Sequence, residues 1–270
     1  MKKLQYIIYA ILLLIIIGLV AYDYYPDQTL DQNTITRATL LFIGTLLSIV
    51  KTTTRSNREV SNKKATYSKA YPEFIGNAFS HSPKLEKVFY NAIDDYNQDR
   101  SASGIKKLEK LRPQCHNTDD IYAVNIFEAL CYEDLLLYRN SIELYQAAMQ
   151  IRPLSTLASN MGICYSRLGM TDDALACYHQ ALQLDAKNEY PLNNLAQLYI
   201  QEGKYDEAAD YATQALSINP KMPQALNAMA IASYMIGNMD DYENYYRQAV
   251  SSGSDGEALK EYIRSLDSTI

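Results

Sequence analysis

The chain has 270 residues, of which 48% are hydrophobic and 21% charged, with a formal net charge of -6. It contains four cysteines and three histidines but no C-x-x-C pair, no H-E-x-x-H motif and no Gly-rich phosphate-binding loop. Because these are the usual signatures of metal, catalytic and nucleotide sites, we expect no enzyme activity, no metal and no cofactor.

The first predicted element is an uncharged, mostly aliphatic stretch of 19 residues from Leu4 to Tyr22. As a helix it would rise about 28 Å, close to the ~30 Å hydrocarbon core of a bilayer. Its apolar run is longer than that of a signal peptide and its small-residue cleavage pattern is poor, so we predict a membrane span rather than a cleaved leader.

A second apolar stretch, Ala38 to Val50, has only 13 residues. It is predicted to cross the bilayer over about residues 35–50 if Ile35 to Arg37 extend it, with the Arg37 side chain reaching the interface. The alternative is a re-entrant or surface-lying segment. Residues 1–50 are therefore predicted to be a two-span membrane anchor.

Basic residues flank both apolar stretches, whereas the connector Asp23 to Thr34 has three Asp and no Lys or Arg. The sequence therefore predicts an integral membrane protein of the cell membrane or, in a bacterium, of the inner membrane. By the positive-inside rule, both termini and all residues after 50 are predicted to lie in the cytoplasm. Residues 51–81 are predicted to be a basic juxtamembrane linker that attracts anionic lipid. Its basic residues are Lys51, Arg55, Arg58, Lys63, Lys64 and Lys69.

From residue 155 onward, three sets of residues recur at intervals of 34. They are Gly169, Gly203 and Gly237; Asp172, Asp206 and Asp240; and Ala181, Ala215 and Ala249. The Gly predicts the left-handed end of one helix, and the Asp three residues later predicts the N-cap of the next. The repeated unit is therefore predicted to be a helix-turn-helix hairpin, which buries its apolar face by stacking on its neighbours.

These hairpins resemble the tetratricopeptide repeat family, whose pattern places small and aromatic residues at fixed positions in helices A and B. Residues 155–188 supply Gly162, Tyr165, Ala174, Tyr178 and Ala181; residues 189–222 supply Ala196, Tyr199, Ala208, Ala215 and Pro220; residues 223–256 supply Ala230, Tyr246 and Ala249. The resemblance implies an all-α fold in which these repeats form an α-solenoid.

Degenerate copies are predicted on both sides of these units. Residues 122–155 are similar to a degenerate repeat, and residues 82–121 have the apolar periodicity of a helical hairpin. Residues 257–270 carry one apolar stripe, preceded by Ser254 and Glu257 at capping-box spacing, and are predicted to form a helix that caps the open end of the solenoid.

The two halves of the chain differ in the sign of their net charge. Residues 1–118 carry 16 basic and 10 acidic side chains, whereas residues 119–270 carry 9 basic and 21 acidic ones. An acidic solenoid excludes nucleic acid and favours basic or neutral protein partners, although a merely solvated surface has the same composition.

The four cysteines are interpreted as free thiols, because Cys131 and Cys164 occupy equivalent positions one repeat apart, too far for a disulfide.

In tetratricopeptide repeats, helix A lines a concave groove and often uses an Asn to hold the backbone of an extended peptide. Asn160 and Asn194 match that position in two successive units, and Arg167 is the one cation placed to recognise an acidic group. The other residues expected on this wall are Ser159, Asn193, Tyr190, Gln197, Gln224 and Asn227. The alternative is a neutral groove lining without a ligand.

The sequence thus predicts a non-enzymatic, membrane-tethered adaptor that binds a protein or peptide partner, of unknown identity, through the concave face of its cytoplasmic repeats. One alternative is a structural or assembly subunit of a larger membrane protein complex. Another is an enzyme or periplasmic envelope protein with the opposite topology. The pattern leaves the oligomeric state open.

Overall fold

The structure is a computed structural model and describes residues 58–267 of the chain. This part consists of helices joined by short connections and contains no strand; its first helical segment, residues 58–70, is named α1. The helices that follow are α2 (Pro72–Ile75), α3 (Pro83–Tyr96), α4 (Ser101–Leu111), α5 (Thr118–Asp134), α6 (Tyr138–Ile151), α7 (Ser155–Arg167), α8 (Thr171–Leu184), α9 (Glu189–Gln201), α10 (Tyr205–Ile218), α11 (Pro223–Met235), α12 (Met239–Ser251) and α13 (Gly256–Asp267).

The predicted membrane spans, 4–22 and about 35–50, lie outside the described residues. Between residues 58 and 267, no helix has both the length and the apolar character that crossing a bilayer requires.

From α3 onward, the helices pair as hairpins that stack in chain order. The pairs are α3 with α4, α5 with α6, α7 with α8, α9 with α10, and α11 with α12. Each pair also packs on the next one, and α13 contacts both α11 and α12. Because every unit contacts mainly its neighbours, the described residues form an all-α solenoid.

Small residues occupy the contacts between helices within the solenoid. The alanines at the repeat positions, which are fully buried, are Ala174, Ala181, Ala196, Ala208, Ala215, Ala230 and Ala249. Gly162 is also buried, and its Cα faces the ring of Tyr178 on the partner helix. These positions allow the close approach of helix A and helix B, since a larger side chain would fill the space between them.

The turn from helix A to helix B has the predicted backbone in three hairpins. Gly169, Gly203 and Gly237 adopt positive φ values of 73°, 70° and 81°. In the α5–α6 hairpin the equivalent residue is Leu136, which adopts the same region with a φ of 60°. This conformation is costly for a leucine, because its Cβ crowds the following carbonyl oxygen.

The prediction that Asp172, Asp206 and Asp240 are N-caps is wrong. Each aspartate is the second residue of its helix, and the residues at the cap positions of α8 and α10 form no side-chain cap bond. At α12, Asn238 is the cap and accepts from the backbone N–H of Asp241. The helices begin two residues earlier than predicted, so the aspartates act only through their charge in the first turn, where the helix dipole favours an anion.

The predicted capping box of α13 is also wrong. Asp255 is the cap, because its Oδ1 accepts from the backbone N–H groups of Glu257 at 3.0 Å and Ala258 at 3.1 Å. The hydroxyl of Ser254 is buried and has no hydrogen-bond partner among residues 58–267. The helix nevertheless covers the end of the solenoid, since Leu259 and Ile263 are buried against it.

The predicted linker, residues 51–81, differs from the structure over its described part. Residues 58–70 and Pro72–Ile75 are helical. Tyr67 donates to Asp94 on α3 at 2.6 Å, and Lys63 pairs with the same carboxylate at 3.1 Å. The segment packs because Val60, Tyr67, Tyr71, Phe74 and Ile75 contribute to the same apolar cluster as α3 and α4.

Candidate peptide-binding groove

Three adjoining cavities follow helices A of successive repeats. The central cavity, of about 400 Å³, lies between α7 and α9 and is lined by Ile163, Arg167 and Asn194. The outer cavity, of about 500 Å³, shares Ile163 and Asn194 with it and continues toward Tyr190. The inner cavity, of about 320 Å³, shares Ile163 and Arg167 with it and continues to α5. Because each neighbouring pair shares side chains, we treat the three cavities together as one groove.

The structure brings most of the predicted site residues into this groove. Those that line it are Asn160, Asn194, Ser159, Tyr190, Gln197 and Arg167. Asn193 lines none of the three cavities, because it is buried inside the hairpin with its Oδ1 lacking a hydrogen-bond partner. Gln224 and Asn227, which lie on α11, also fall outside the three cavities.

Hydrogen bonds between hairpins hold the two groove asparagines. Asn194 donates through Nδ2 to the hydroxyl of Ser159 at 3.1 Å, and Asn160 donates through Nδ2 to the hydroxyl of Tyr145 at 3.3 Å. Neither Oδ1 accepts a hydrogen bond from the part of the chain that the structure describes. Since a carboxamide has two N–H donors and one acceptor oxygen, each side chain is fixed in place and still offers both kinds of group to a ligand.

A buried polar chain runs beneath the groove. Tyr145, which is fully buried, donates to Glu133 Oε2 at 2.9 Å and accepts from Asn160. Burial raises the pKa of the Glu133 carboxyl, and this effect outweighs the bond from Tyr145 and the charge of Arg167, which both lower the pKa. This series of hydrogen bonds links α5, α6 and α7, so it fixes the position of Asn160 relative to Glu133.

Sequence reasoning missed Glu133 and Asp134 as groove residues. Both line the inner cavity together with Tyr96, Leu136 and Tyr138. The helix A of residues 122–155 matches the next one at an interval of 33 rather than 34, which aligns Glu133 with Ser166 and Asp134 with Arg167. Ser166 and Arg167 both line the central cavity, so a comparison at the shorter interval would have found the acidic pair.

The cysteines have the properties of packed thiols rather than reactive ones. All four are free, and Cys131, Cys164 and Cys177 are buried. Burial raises the pKa of Cys131 and Cys164 to about 12 and that of Cys177 to about 11. These thiols therefore stay protonated at neutral pH. Across residues 58–267, no three acidic, His or Cys side chains form a group that could hold a metal ion.

Solved structures resemble the chain in fold. A tetratricopeptide repeat protein from Parabacteroides merdae shares 23% identity over 67% of this chain and 72% of its own, with a TM-score of 0.56. A thermophilic tetratricopeptide repeat protein of Thermus thermophilus shares 16% identity over 67% and 98%, with a TM-score of 0.53. MamA shares 16% over 60% and 93%, with a TM-score of 0.52. At these identities the likeness shows the fold alone.

Family models give the sequence-level match. Residues 153–221 match one model described as tetratricopeptide repeat, and residues 199–255 match a second with the same description. No curated protein sequence matches the chain. Together the matched ranges span the hairpins α7–α8, α9–α10 and α11–α12. Residues 153–255 therefore match the tetratricopeptide repeat family in sequence, and they form part of an all-α solenoid.

Proposed function

We propose that this protein is a membrane-tethered adaptor whose repeats bind an extended segment of a protein partner along the groove. The observation that carries the proposal is the continuous groove along helices A, in which Asn160 and Asn194 are held in position with free carbonyl oxygens. Main-chain N–H groups of an extended segment need such acceptors, because a segment bound there loses its hydrogen bonds to water. Tetratricopeptide repeat proteins are generally scaffolds without enzyme activity, and no catalytic family is indicated.

The groove has the size and chemistry for a peptide rather than a small molecule. Its central part is lined mainly by amides and hydroxyls, with Arg167 as its one charged residue. Tyr190, which is 59% exposed, stands at the outer end and offers a ring for a side chain of the partner. Small-molecule sites are instead mostly apolar and enclosed.

The proposed tether is the pair of apolar segments at 4–22 and about 35–50, with both termini and the repeats in the cytoplasm. Hydropathy and the distribution of Lys and Arg support it. Lys51 and Arg55 would add electrostatic attraction to anionic lipid next to the second segment.

Topology is tested by labelling single introduced cysteines in intact cells with a membrane-impermeant reagent. Cysteine at Gln28, in the acidic connector, is expected to react, whereas cysteine at Lys221, an exposed residue of the solenoid, is expected to react only after the membrane is opened. The unsubstituted chain controls for the native thiols. Labelling at 221 in intact cells would overturn the cytoplasmic assignment.

The groove is tested with peptides selected from a random 12-residue display library on the detergent-solubilised full chain. Replacing both Asn160 and Asn194 with Ala removes two hydrogen bonds of about 0.5–1.5 kcal/mol each, so affinity should fall about 5- to 150-fold if the losses add. Affinity is measured by fluorescence anisotropy. Gln214→Ala with Asn244→Ala, which removes two exposed amides from helices B, is the matched control and should bind as the unsubstituted chain does.

Two results would contradict peptide binding in the groove. One is equal affinity of the Asn160→Ala/Asn194→Ala variant and the unsubstituted chain for every selected peptide. The other is a selection that yields no peptide binder. A partner that co-purifies only when residues 1–50 are present, and that ignores the groove substitutions, would instead identify the chain as an assembly subunit of a membrane complex.

A further inference from the structure

We propose that the inner cavity is a specificity subsite that takes one lysine or arginine side chain of the bound segment. This inference rests on the proposed peptide binding and adds the chemistry of the partner. The cavity lies where α5, α6 and α7 meet, and it opens into the rest of the groove past Ile163 and Arg167. A basic side chain entering there would leave the backbone of its segment alongside Asn160.

The acidic wall of the cavity is the first argument. Glu133 uses Oε2 to accept from Tyr145, and neither of its oxygens lies within ion-pair distance of a Lys or Arg among residues 58–267. Asp134 accepts from Ser101 at 2.5 Å through one oxygen. A half-buried carboxylate that forms no ion pair is unfavourable, and a cation arriving within hydrogen-bond distance stabilises its charged form.

The remaining wall of the cavity matches the stem of a basic side chain. Leu130, Leu136 and Ile163 present aliphatic surface, and the rings of Tyr96 and Tyr138 stand on the same cavity. Lys and Arg side chains bury their methylene groups on apolar surface while the charged head finds an anion, and a cation also binds the face of an aromatic ring.

Leu136 is the most exposed of the three aliphatic side chains on the cavity wall. The three equivalent turns have glycine at this positive φ, whereas this turn has a leucine that is 68% exposed. An exposed leucine in this conformation adds little to the stability of the fold. Its position on the cavity wall gives the side chain a role: it covers the aliphatic stem of the bound residue.

Charge complementarity selects a basic occupant over an acidic one. Residues 119–270, which form most of the solenoid, carry 21 acidic and 9 basic side chains. Arg167, the one cation on the cavity wall, is exposed and forms no ion pair with Glu133 or Asp134. It is free to turn away from an incoming cation, and the field of the whole solenoid repels an anion.

The test uses the peptides selected on the full chain. We expect binders to carry Lys or Arg at one fixed position, and replacing that residue by norleucine to weaken binding about tenfold, because a charged hydrogen bond to the half-buried carboxylate of Glu133 is lost. Glu133→Gln should weaken binding of the Lys or Arg peptide by a similar factor and leave the affinity for the norleucine peptide unchanged. Glu143→Gln, which removes an exposed carboxylate outside the groove, is the matched control and should have no effect on either peptide.

Two further variants separate recognition from folding. Leu136→Gly relieves the backbone strain, so it should leave the midpoint of urea unfolding within experimental error while weakening the basic peptide by about threefold or more. Arg167→Gln removes a like charge from the cavity wall and should tighten binding of the basic peptide; an acidic ligand read by Arg167 would instead bind more weakly.

Three outcomes overturn the inference. Selected peptides that depend on Asn160 and Asn194 but lack a basic position would overturn the subsite and leave the proposed function standing. The subsite would also be overturned if Glu133→Gln weakened the binding of the norleucine peptide and of the basic peptide equally, because that pattern indicates a distorted groove. A selection without any groove-dependent binder would overturn the proposed function and, with it, the subsite.

Discussion

Gly162→Leu is expected to lower the free energy of unfolding by about 2–3 kcal/mol, because it overpacks the contact between α7 and α8. A Cβ built on Gly162 would lie 2.6 Å from Cδ1 and 2.9 Å from Cζ of Tyr178, and closer still to Cε1. Such separations are well below van der Waals contact, so even one methyl group forces either the ring or the helix to move.

The ring of Tyr178 has little freedom to yield. Its side chain is 3% exposed, and it packs in a cluster with Ala174, Leu195 and Leu198. A shift of the ring would therefore disturb α9 as well as α8. This coupling between adjacent hairpins is the reason for placing the effect at the upper end of the usual range for overpacking.

Urea unfolding of the full chain in detergent, followed by circular dichroism, measures the effect. Ala176→Leu introduces the same side chain at an exposed position on α8 and should change the midpoint little. Adding Tyr178→Ala to Gly162→Leu should recover part of the loss, because the added leucine then occupies the space of the ring. An unchanged midpoint for Gly162→Leu alone would contradict the packing of this hairpin.

The repeat interval predicted the fold of residues 153–255 because it identifies residues with strict local requirements. A glycine at positive φ and a small residue between two helices are needed wherever the unit recurs. The same interval failed for Asp172, since periodicity reports which residues recur and leaves the starting residue of the helix undecided. Because the helix begins two residues earlier than predicted, the aspartate lies in the first turn rather than at the cap.

Residues 58–75 show a different limit of sequence reasoning. Their basic residues indicated a juxtamembrane linker that attracts anionic lipid, but Tyr67 and Phe74 contribute to the apolar cluster with α3 and α4. The charge and the burial coexist because the long side chains of Lys63 and Lys64 reach Asp94 and Glu86 at the edge of that cluster. Composition averages over both faces of a helix, and only periodicity separates them.

The sequence predicted which helices carry the candidate site, but it did not predict the hydrogen bonds of the site residues. The positions of Asn160 and Asn194 follow from the family pattern. Their bonds to Tyr145 and Ser159 depend on how one hairpin rotates relative to the next, which no local sequence pattern encodes. Leu136 was missed for the same kind of reason, because its exposure follows from a turn that lacks the expected glycine.

Asp95→Asn is expected to lower the free energy of unfolding at pH 7 by about 1–3 kcal/mol. Asp95 is 3% exposed and connects the end of α3 with α4. Its Oδ1 accepts from Arg100 Nη2 at 2.5 Å, and its Oδ2 accepts from Ser103 at 2.5 Å and pairs with Lys107. Loss of the carboxylate leaves two cations side by side, but both are partly exposed and keep some hydration, which limits the effect.

The pH dependence of this difference is the sharper test. Burial alone would raise the pKa of Asp95, but the bonds from Lys107, Ser103 and Arg100 outweigh it and lower the pKa to about 2. Because the folded state depresses the pKa, the carboxylate stabilises the fold above its ordinary pKa of about 4, and the contribution is lost as the pH falls from there toward 2. The gap between the unsubstituted chain and Asp95→Asn in urea unfolding should therefore narrow between pH 5 and pH 2.5. Glu109→Gln, an exposed carboxylate on α4, should show a small gap at every pH. A gap for Asp95→Asn that stays constant over this range would mean that side-chain shape, rather than the charge of Asp95, stabilises the first hairpin.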